Sequence, residues 1–273
     1  MLDRRLVVNA DDFGFTRDVN AGIIEAHLGG ILTAATLMAN GPAFDDAVRL
    51  AREHPSLDVG CHLVLVGGPS MARTGVMLPS GIPQLCAAVA AKRIPIYEEF
   101  STQVRRIVDA GLTPTHLDTH KHTHLLPGVL EAVGRVAEEF GIRWVRRPFD
   151  LPIGFGAPWA VRLTSRSMSA LRGKFQSVLE SHGCSSTDHF AGFQLTGRME
   201  PSDLVQLIEQ LPIGSTELMT HPGRCGDELR AARTRLKDSR EREMRALMAS
   251  QVRQALEHRG VRLVNYRNLS TQM

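Results

Sequence analysis

Aromatic side chains are scarce: two Trp and two Tyr occur in 273 residues, and with ten Phe they make up 5% of the chain. Tyr and Trp supply the flat, amphipathic surface on which extended ligands stack, so a long polysaccharide platform is disfavoured and a short or single-unit ligand is favoured. Charge of one sign is also lacking. The 32 Lys and Arg stand against 29 Asp and Glu, a net charge of +3, and the two signs are interleaved. No nucleic-acid partner is expected from that balance. The four cysteines, Cys61, Cys86, Cys184 and Cys225, have no Cys-x-x-Cys spacing. Together with a start too short and too acidic for a signal segment, this predicts reduced thiols and a cytoplasmic location. Cys61 beside His62 reads as a small buried strand residue. No apolar run reaches membrane-spanning length, no internal repeat is visible, and no Gly-x-Gly-x-x-Gly turn follows the first apolar run, which argues against a dinucleotide-binding sheet. A homo-oligomer is compatible with the sequence but has no signature in it.

What the sequence does have is histidine in one place. Thr115 to Pro127 holds His116, His120, His122 and His124, four of the eleven histidines, with Asp118 between the first two. If Pro114–Thr119 is a strand, the period of two puts His116, Asp118 and His120 on one face and Leu117 and Thr119 on the other. Imidazoles and carboxylates on a buried face need partners, and a metal ion is a fitting one. Histidine-rich runs also occur as solvated loops, but the alternation with Asp118 and apolar residues favours a ligand face. For His122 and His124, beyond the strand end, a structural or substrate-contact role comes ahead of a ligand role.

The rest of the chain alternates strands and helices. Strands are predicted at Leu6–Ala10, Ile31–Met38, Leu57–Leu65, Ile142–Arg147, Asp188–Phe193, Ser215–Thr220 and Val261–Tyr266, in addition to the histidine strand. Helices are predicted at Thr16–His27, Phe44–His54, Gln84–Ala91, Ile96–Ala110, Pro127–Phe140, Asp203–Gln210 and Asp238–His258. Gly67–Pro83 reads as a substrate-facing loop. Phe149–Ser186 reads as an insertion or irregular unit with a helical register over Leu163–Leu179 interrupted by Gly173. The Arg and Glu run from Asp238 to Arg245 reads as the solvated face of its helix.

Seven or eight strands alternating with helices over the whole length predict one α/β domain, a distorted (β/α) TIM-like barrel with a possible insertion at 149–186. In such barrels chemistry gathers at the C-terminal strand ends. Asp11-Asp12, where the first strand stops, His62, the histidine run and His221 all fall there. One carboxylate and two imidazoles make a common open metal site, and Asp12, His62 and His120 from separate strand ends supply it. Asp11, left unbound, can act as a base. Taken alone, Asp11-Asp12-Phe13-Gly14 would serve equally as a turn and helix start.

Asn9-Ala10-Asp11-Asp12-Phe13-Gly14, Gly60-Cys61-His62-Leu63, the run Thr115 to His124, and Thr220-His221-Pro222-Gly223, in this order, resemble the YdjC-like carbohydrate deacetylases, which are similar to the polysaccharide deacetylases. The resemblance covers nearly the whole chain outside Phe149–Ser186. It implies a distorted barrel, an Asp-His-His triad made here of Asp12, His62 and His120, Asp11 as general base and His221 as general acid. It also implies an arginine that orients the base, Arg146 or Arg147. The implied cofactor is one divalent cation, zinc or magnesium: the imidazoles suit zinc or another transition ion, while the family is associated with both metals. The implied substrate is an N-acetylated sugar, a short chitooligosaccharide, another amino sugar or a glycolipid head group, with specificity in Gly67–Pro83 and Phe149–Ser186. A metal-dependent phosphoesterase or amidohydrolase would be expected to carry His-x-His after the first strand, where this chain has Asp-Asp. A non-catalytic sugar-binding protein would need neither Asp11 nor His221.

Overall fold

Eight parallel strands form one curled sheet in the computed structural model, which describes residues 3–155 and 157–270. They are β1 (Arg4–Phe13), β2 (Ala34–Leu37), β3 (Asp58–Leu63), β4 (His116–Thr119), β5 (Trp144–Val145), β6 (His189–Ala191), β7 (Gly214–Thr220) and β8 (Val261–Leu263). Their order is β5-β4-β3-β2-β1-β7-β6, with β8 added to β1. No ladder joins β5 to β6 among the described residues. Single parallel bridges, Trp144 to Ser185 and Asp150 to Phe190, span the interval instead. The predicted α/β architecture is therefore present as a curled, distorted barrel.

One strand sets the geometry of the others. β1 pairs with β7 along Arg4–Ala10 on one edge. On its other edge it pairs first with β8 over Arg4–Leu6 and then with β2 over Asn9–Phe13. Because β2 takes over that edge, β8 has room for only Val261–Leu263. The chain then turns into the short helix Tyr266–Ser270 instead of continuing as a strand to Tyr266. β1 itself does not stop at Asp11 as expected. It runs on through Asp12 to Phe13 because of a bulge: Ala10 faces Ala35 but Phe13 faces Leu37, three steps against two. Asp12 sits in the bulge with φ 67, a left-handed conformation that a short polar side chain tolerates better than a branched one.

Alternation along the strands sorts the interior from the helical layer. Leu6, Val8 and Ala10 join the large core beneath the helices, as do Cys61 and Leu117. Val7 points the other way, into an apolar plug with Ala34, Trp144, Val264, Tyr266 and Leu269. Further along the same inward face come Asn9 and Asp11, and beside them Thr36, His62, His116, Asp118 and Glu217, all buried. The barrel interior is thus apolar at the bottom and densely polar toward the C-terminal strand ends.

Several helices differ from the periodicity. The charged segment Asp238–His258 is two helices, Asp238–Met248 and Ser250–Arg259, parted at Ala249 with ψ 131. Leu247 gives its carbonyl to the Ile31 N–H at 3.2 Å rather than to the next helical turn. The Leu163–Leu179 register resolves into Trp159–Ser169 and Arg172–Ser181, with the break ahead of Gly173. β5 is shorter than Ile142–Arg147 because its partner β4 ends at Thr119 and offers Leu117 O to Arg146 N at 2.9 Å as the last bond. The long loop after β3 is tied down at Glu99, wholly buried on helix Ile96–Asp109. Its carboxylate accepts from Ser70 Oγ at 2.5 Å, Met71 N at 2.9 Å and Ala72 N at 3.1 Å.

The loop after β7 is held by a backbone-to-backbone approach. A Cβ on Gly22, in helix Arg17–Gly29, would lie 2.4 Å from Gly223 Cα. Replacing a mid-helix glycine by alanine normally stabilises by roughly 1 kcal/mol. Here Gly22→Ala is expected to do the reverse, lowering stability by about 1–3 kcal/mol through overpacking against the segment that follows His221. Urea unfolding decides it, since a raised midpoint would mean that the two segments are not in contact.

Candidate active site

Asp11 and Asp12 are adjacent in sequence and buried, but two arginines pull them apart. Arg146 grips Asp11 through two bonds, Nη1 to Oδ2 at 2.8 Å and Nη2 to Oδ1 at 2.6 Å. Asn9 Nδ2 adds a third bond to Asp11 Oδ1 at 3.1 Å. Arg240 donates from Nη2 to Asp12 Oδ2 at 2.5 Å. Burial alone would push both carboxyls up, yet the guanidiniums outweigh it and hold both low. The bulge in β1 lets two successive carboxylates approach the same mouth while meeting different cations.

Asp12 Oδ1 has no hydrogen-bond donor, although it is buried. It faces His62 Nε2 at 3.4 Å and His120 Nδ1 at 3.2 Å, and those two ring nitrogens are 3.2 Å apart. His62 Nδ1 is engaged by Asp118 Oδ1 at 2.7 Å, which puts a proton on Nδ1 and leaves Nε2 as the ring nitrogen aimed at Asp12 and His120. Burial opposes charging His62, but Asp118 overrides it and raises the imidazole to about 9, so a cation held at Nε2 would displace a proton there. An orphaned carboxylate oxygen and two converging imidazole nitrogens are a donor set that fits one divalent cation, with positions left for other ligands. Among the described residues, the buried side chains around the mouth include the acidic Asp11, Asp12, Asp118, Glu217 and Glu243 and the guanidiniums of Arg146 and Arg240, with Glu217 pushed up by burial.

The histidine strand divides differently from the expected face. His116 and Asp118 do point inward, but protein groups satisfy them. His116 Nε2 meets Asn9 Oδ1 at 2.9 Å and its ring stacks on Tyr266 at 3.9 Å. Asp118 Oδ2 is paired with the Arg146 guanidinium, 2.7 Å from Nη1, and accepts from Thr36 Oγ1 at 3.0 Å. Only His120 of that face joins Asp12 and His62, and it does so because the strand ends at Thr119 and His120 opens a tight turn, His120–Leu125. Within the turn Lys121 and His122 have left-handed backbone, φ 57 and 51. His124 is structural: Thr119 Oγ1 meets its Nδ1, and its Nε2 lies 3.1 Å from Arg146 O. His122 is buried among Phe190, Phe193 and His124, and its Nδ1 has no partner.

Between Arg146 and Arg147 the structure is unambiguous. Arg146 lies inside, bonded also to Glu217 Oε1 from Nε at 2.7 Å, whereas Arg147 reaches outward to Asp188 O at 2.7 Å. His221 stands on the far side of Asp11, Nε2 to Oδ2 3.8 Å. Glu243 fixes it, accepting His221 N at 2.7 Å and lying 3.8 Å from Nδ1. Arg240 and Glu243 correct the reading of Asp238–Arg245 as a solvated face: both are buried and both touch the site. Their signal was present, because 240, 243, 244 and 247 form a helical stripe whose last two members are Met and Leu. Glu217, inward on β7 between Thr216 and Leu218, gave none.

A curled parallel barrel with this carboxylate–imidazole group at its C-terminal mouth defines the class. A family model described as YdjC-like protein matches residues 5–258, and the chain belongs to that family. It is 35% identical over 275 residues to the carbohydrate deacetylase of Brevibacillus brevis (strain 47), covering 97% of this chain and 99% of that protein. It is 44% identical over 158 residues to the carbohydrate deacetylase of Geobacillus stearothermophilus, covering 55% of this chain and 64% of that one. Among solved structures, a protein of Enterococcus faecalis V583 provisionally assigned to cellobiose-phosphate cleavage shares the fold, with TM-score 0.75, 23% identity and coverage of 98% and 99%.

Burial depresses His116 and His124 to about 4. An unfolded histidine titrates near pH 6.5, so the unfolded chain takes up protons that the native state refuses until about pH 4. Stability supplied by these neutral rings is therefore complete above pH 6.5 and lost as pH falls through that window. His116→Gln should shift its urea midpoint less between pH 7 and pH 5 than wild type does. Equal shifts would show that His116 titrates normally in the native state.

Proposed function

We propose that this protein is a metal-dependent hydrolase that removes the acetyl group from an N-acetylated amino sugar. The observation that carries the reading is the pairing of two neighbouring aspartates with different duties: Asp12, with one oxygen left bare before His62 and His120, and Asp11, held by Arg146 beside them. The relatives named carbohydrate deacetylase supply the substrate class. Asp12, His62 and His120 would hold a divalent cation, zinc or magnesium, whose chemistry when bound is Lewis acidity toward an acyl oxygen and toward water.

The chain's own residues then have distinct roles. Asp11 accepts the proton of the attacking water. Arg146 fixes its direction through two bonds and keeps it ionised, so the carboxylate is ready at neutral pH. His221, across the mouth and oriented by Glu243, gives a proton to the departing amine nitrogen, without which an amine is a poor leaving group. Asp118 keeps His62 in the tautomer that presents Nε2.

Specificity belongs to the loop 67–83 after β3 and to the partly helical segment 149–186 after β5, which carry exposed Met77 and Trp159. With so few aromatic residues they favour a short sugar or a glycolipid head group over a long polysaccharide. Among the described residues no helix is long and apolar enough to cross a membrane. The four unpaired cysteines suit the reducing cytoplasm, the compartment we assign.

Acetate release from N,N′-diacetylchitobiose and other N-acetylated sugars tests the reading, after chelation and refilling with Zn, Co, Mn or Mg. Asp11→Asn should lower turnover by roughly 10²–10⁴-fold while equilibrium dialysis still finds one bound metal. His221→Gln should lower it as well, with metal binding retained. Stoichiometric metal binding by a folded protein that deacetylates none of these sugars would favour a binding protein on the same fold.

A further inference from the structure

Arg240 occupies an unusual place for a cation. It is 1% exposed, it is brought to the mouth by helix Asp238–Met248, and it bonds the one aspartate that faces the two histidines. Its position is closely fixed. Nε donates to Leu236 O at 3.3 Å. A Cβ on Gly223 would come within 3.2 Å of its Cδ. The guanidinium carbon lies 5.9 Å from the centre of the Phe15 ring. A guanidinium this close to a metal-facing carboxylate repels an incoming cation, so its charge does not add to metal affinity.

What Arg240 does contribute is geometric. A carboxylate has two oxygens and can chelate a metal with both. Arg240 occupies Oδ2 of Asp12 and leaves Oδ1 alone, undonated, facing His62 Nε2 and His120 Nδ1. Resting on the reading that Asp12, His62 and His120 hold a divalent cation, we propose that Arg240 is a positioning residue that restricts Asp12 to one metal-facing oxygen, keeping open a coordination position that a chelating carboxylate would close. Open positions are what separate a hydrolytic centre from a structural one. The arrangement trades affinity for access.

The probe is Co²⁺ in the full chain, read by its visible spectrum, by chelator competition and by acetate release. Arg240→Met removes the bond and the charge. It should still bind one Co²⁺, at affinity equal to wild type or up to about tenfold tighter, with weaker visible bands from a higher coordination number. Its kcat should fall by at least roughly thirtyfold with KM nearly unchanged. Arg240→Lys, which keeps a cationic donor of nearly the same reach, should retain the wild-type spectrum and affinity, and it serves as the test if the Met variant does not fold. A wild-type spectrum in Arg240→Met, or a shift to weaker bands in Arg240→Lys, overturns the proposal. If the spectra behave as expected but wild type releases acetate from no sugar, the positioning role stands and the deacetylase reading fails.

Discussion

A single buried guanidinium, that of Arg146, is the constraint on which the mouth of the barrel depends. Its nitrogens meet Asp11 from β1, Asp118 from β4 and Glu217 from β7, so it ties β1, β4 and β7 together in a sheet that has no β5–β6 ladder among the described residues. Desolvating one cation and three carboxylates is expensive, and a buried ion network of this kind adds little net stability compared with an apolar filling. What it adds is specification. Each carboxylate has one low-energy position, and each stands next to a group with chemical work to do: Asp11 at the mouth, Asp118 behind His62, and Glu217 below both.

The second arginine completes a division that the backbone alone could not achieve. Adjacent residues in a regular strand point to opposite faces, which would send Asp12 into the helical layer. The bulge and the left-handed turn at Asp12 bring both aspartates to the mouth, and two like charges so close would resist joint ionisation. Separate counter-cations remove that resistance. Arg146 takes both oxygens of Asp11 and leaves no orphan. Arg240 takes one oxygen of Asp12 and leaves the other bare. The same residue type leaves one carboxylate fully bonded and its neighbour with a free oxygen because the number of bonds differs, which is the asymmetry that the proposed base and ligand roles require.

Much of this was legible in the sequence because it follows from period and type. Alternation put His116 and Asp118 inside and Leu117 outside, and the apolar run Leu6–Ala10 marked β1. Strand ends gathered Asp11, Asp12, His62, His120 and His221 at one mouth. What escaped were features decided by partners remote in sequence. The end of β1 depends on where β2 meets it, and the break at Ala249 depends on Ile31 N–H. His116 and Asp118 carry metal-ligand chemistry, yet Asn9, Tyr266, Thr36 and Arg146, from other strands and the C-terminal helix, satisfy them first. Glu217 is one of several polar residues within the strand Gly214–Thr220 and has no local pattern to announce it.

The charged helix Asp238–Met248 shows most clearly how function departs from a composition-based reading. Five of its eleven residues are Arg or Glu, and solvation is the ordinary fate of such a segment. Yet its inward stripe carries Arg240 and Glu243 one turn apart, and those two reach opposite ends of the site, Arg240 to Asp12 and Glu243 to the His221 backbone and the neighbourhood of its ring. The helix also packs on Arg17–Gly29, which follows the two aspartates in the chain and touches Gly223 through Gly22. Asp12 at one end of the mouth and His221 at the other are thus both bonded to one helix. A displacement of that helix would move both ends together, preserving their separation, and this is a geometric requirement for any reaction in which a carbonyl at one end and a leaving nitrogen at the other belong to the same small amide.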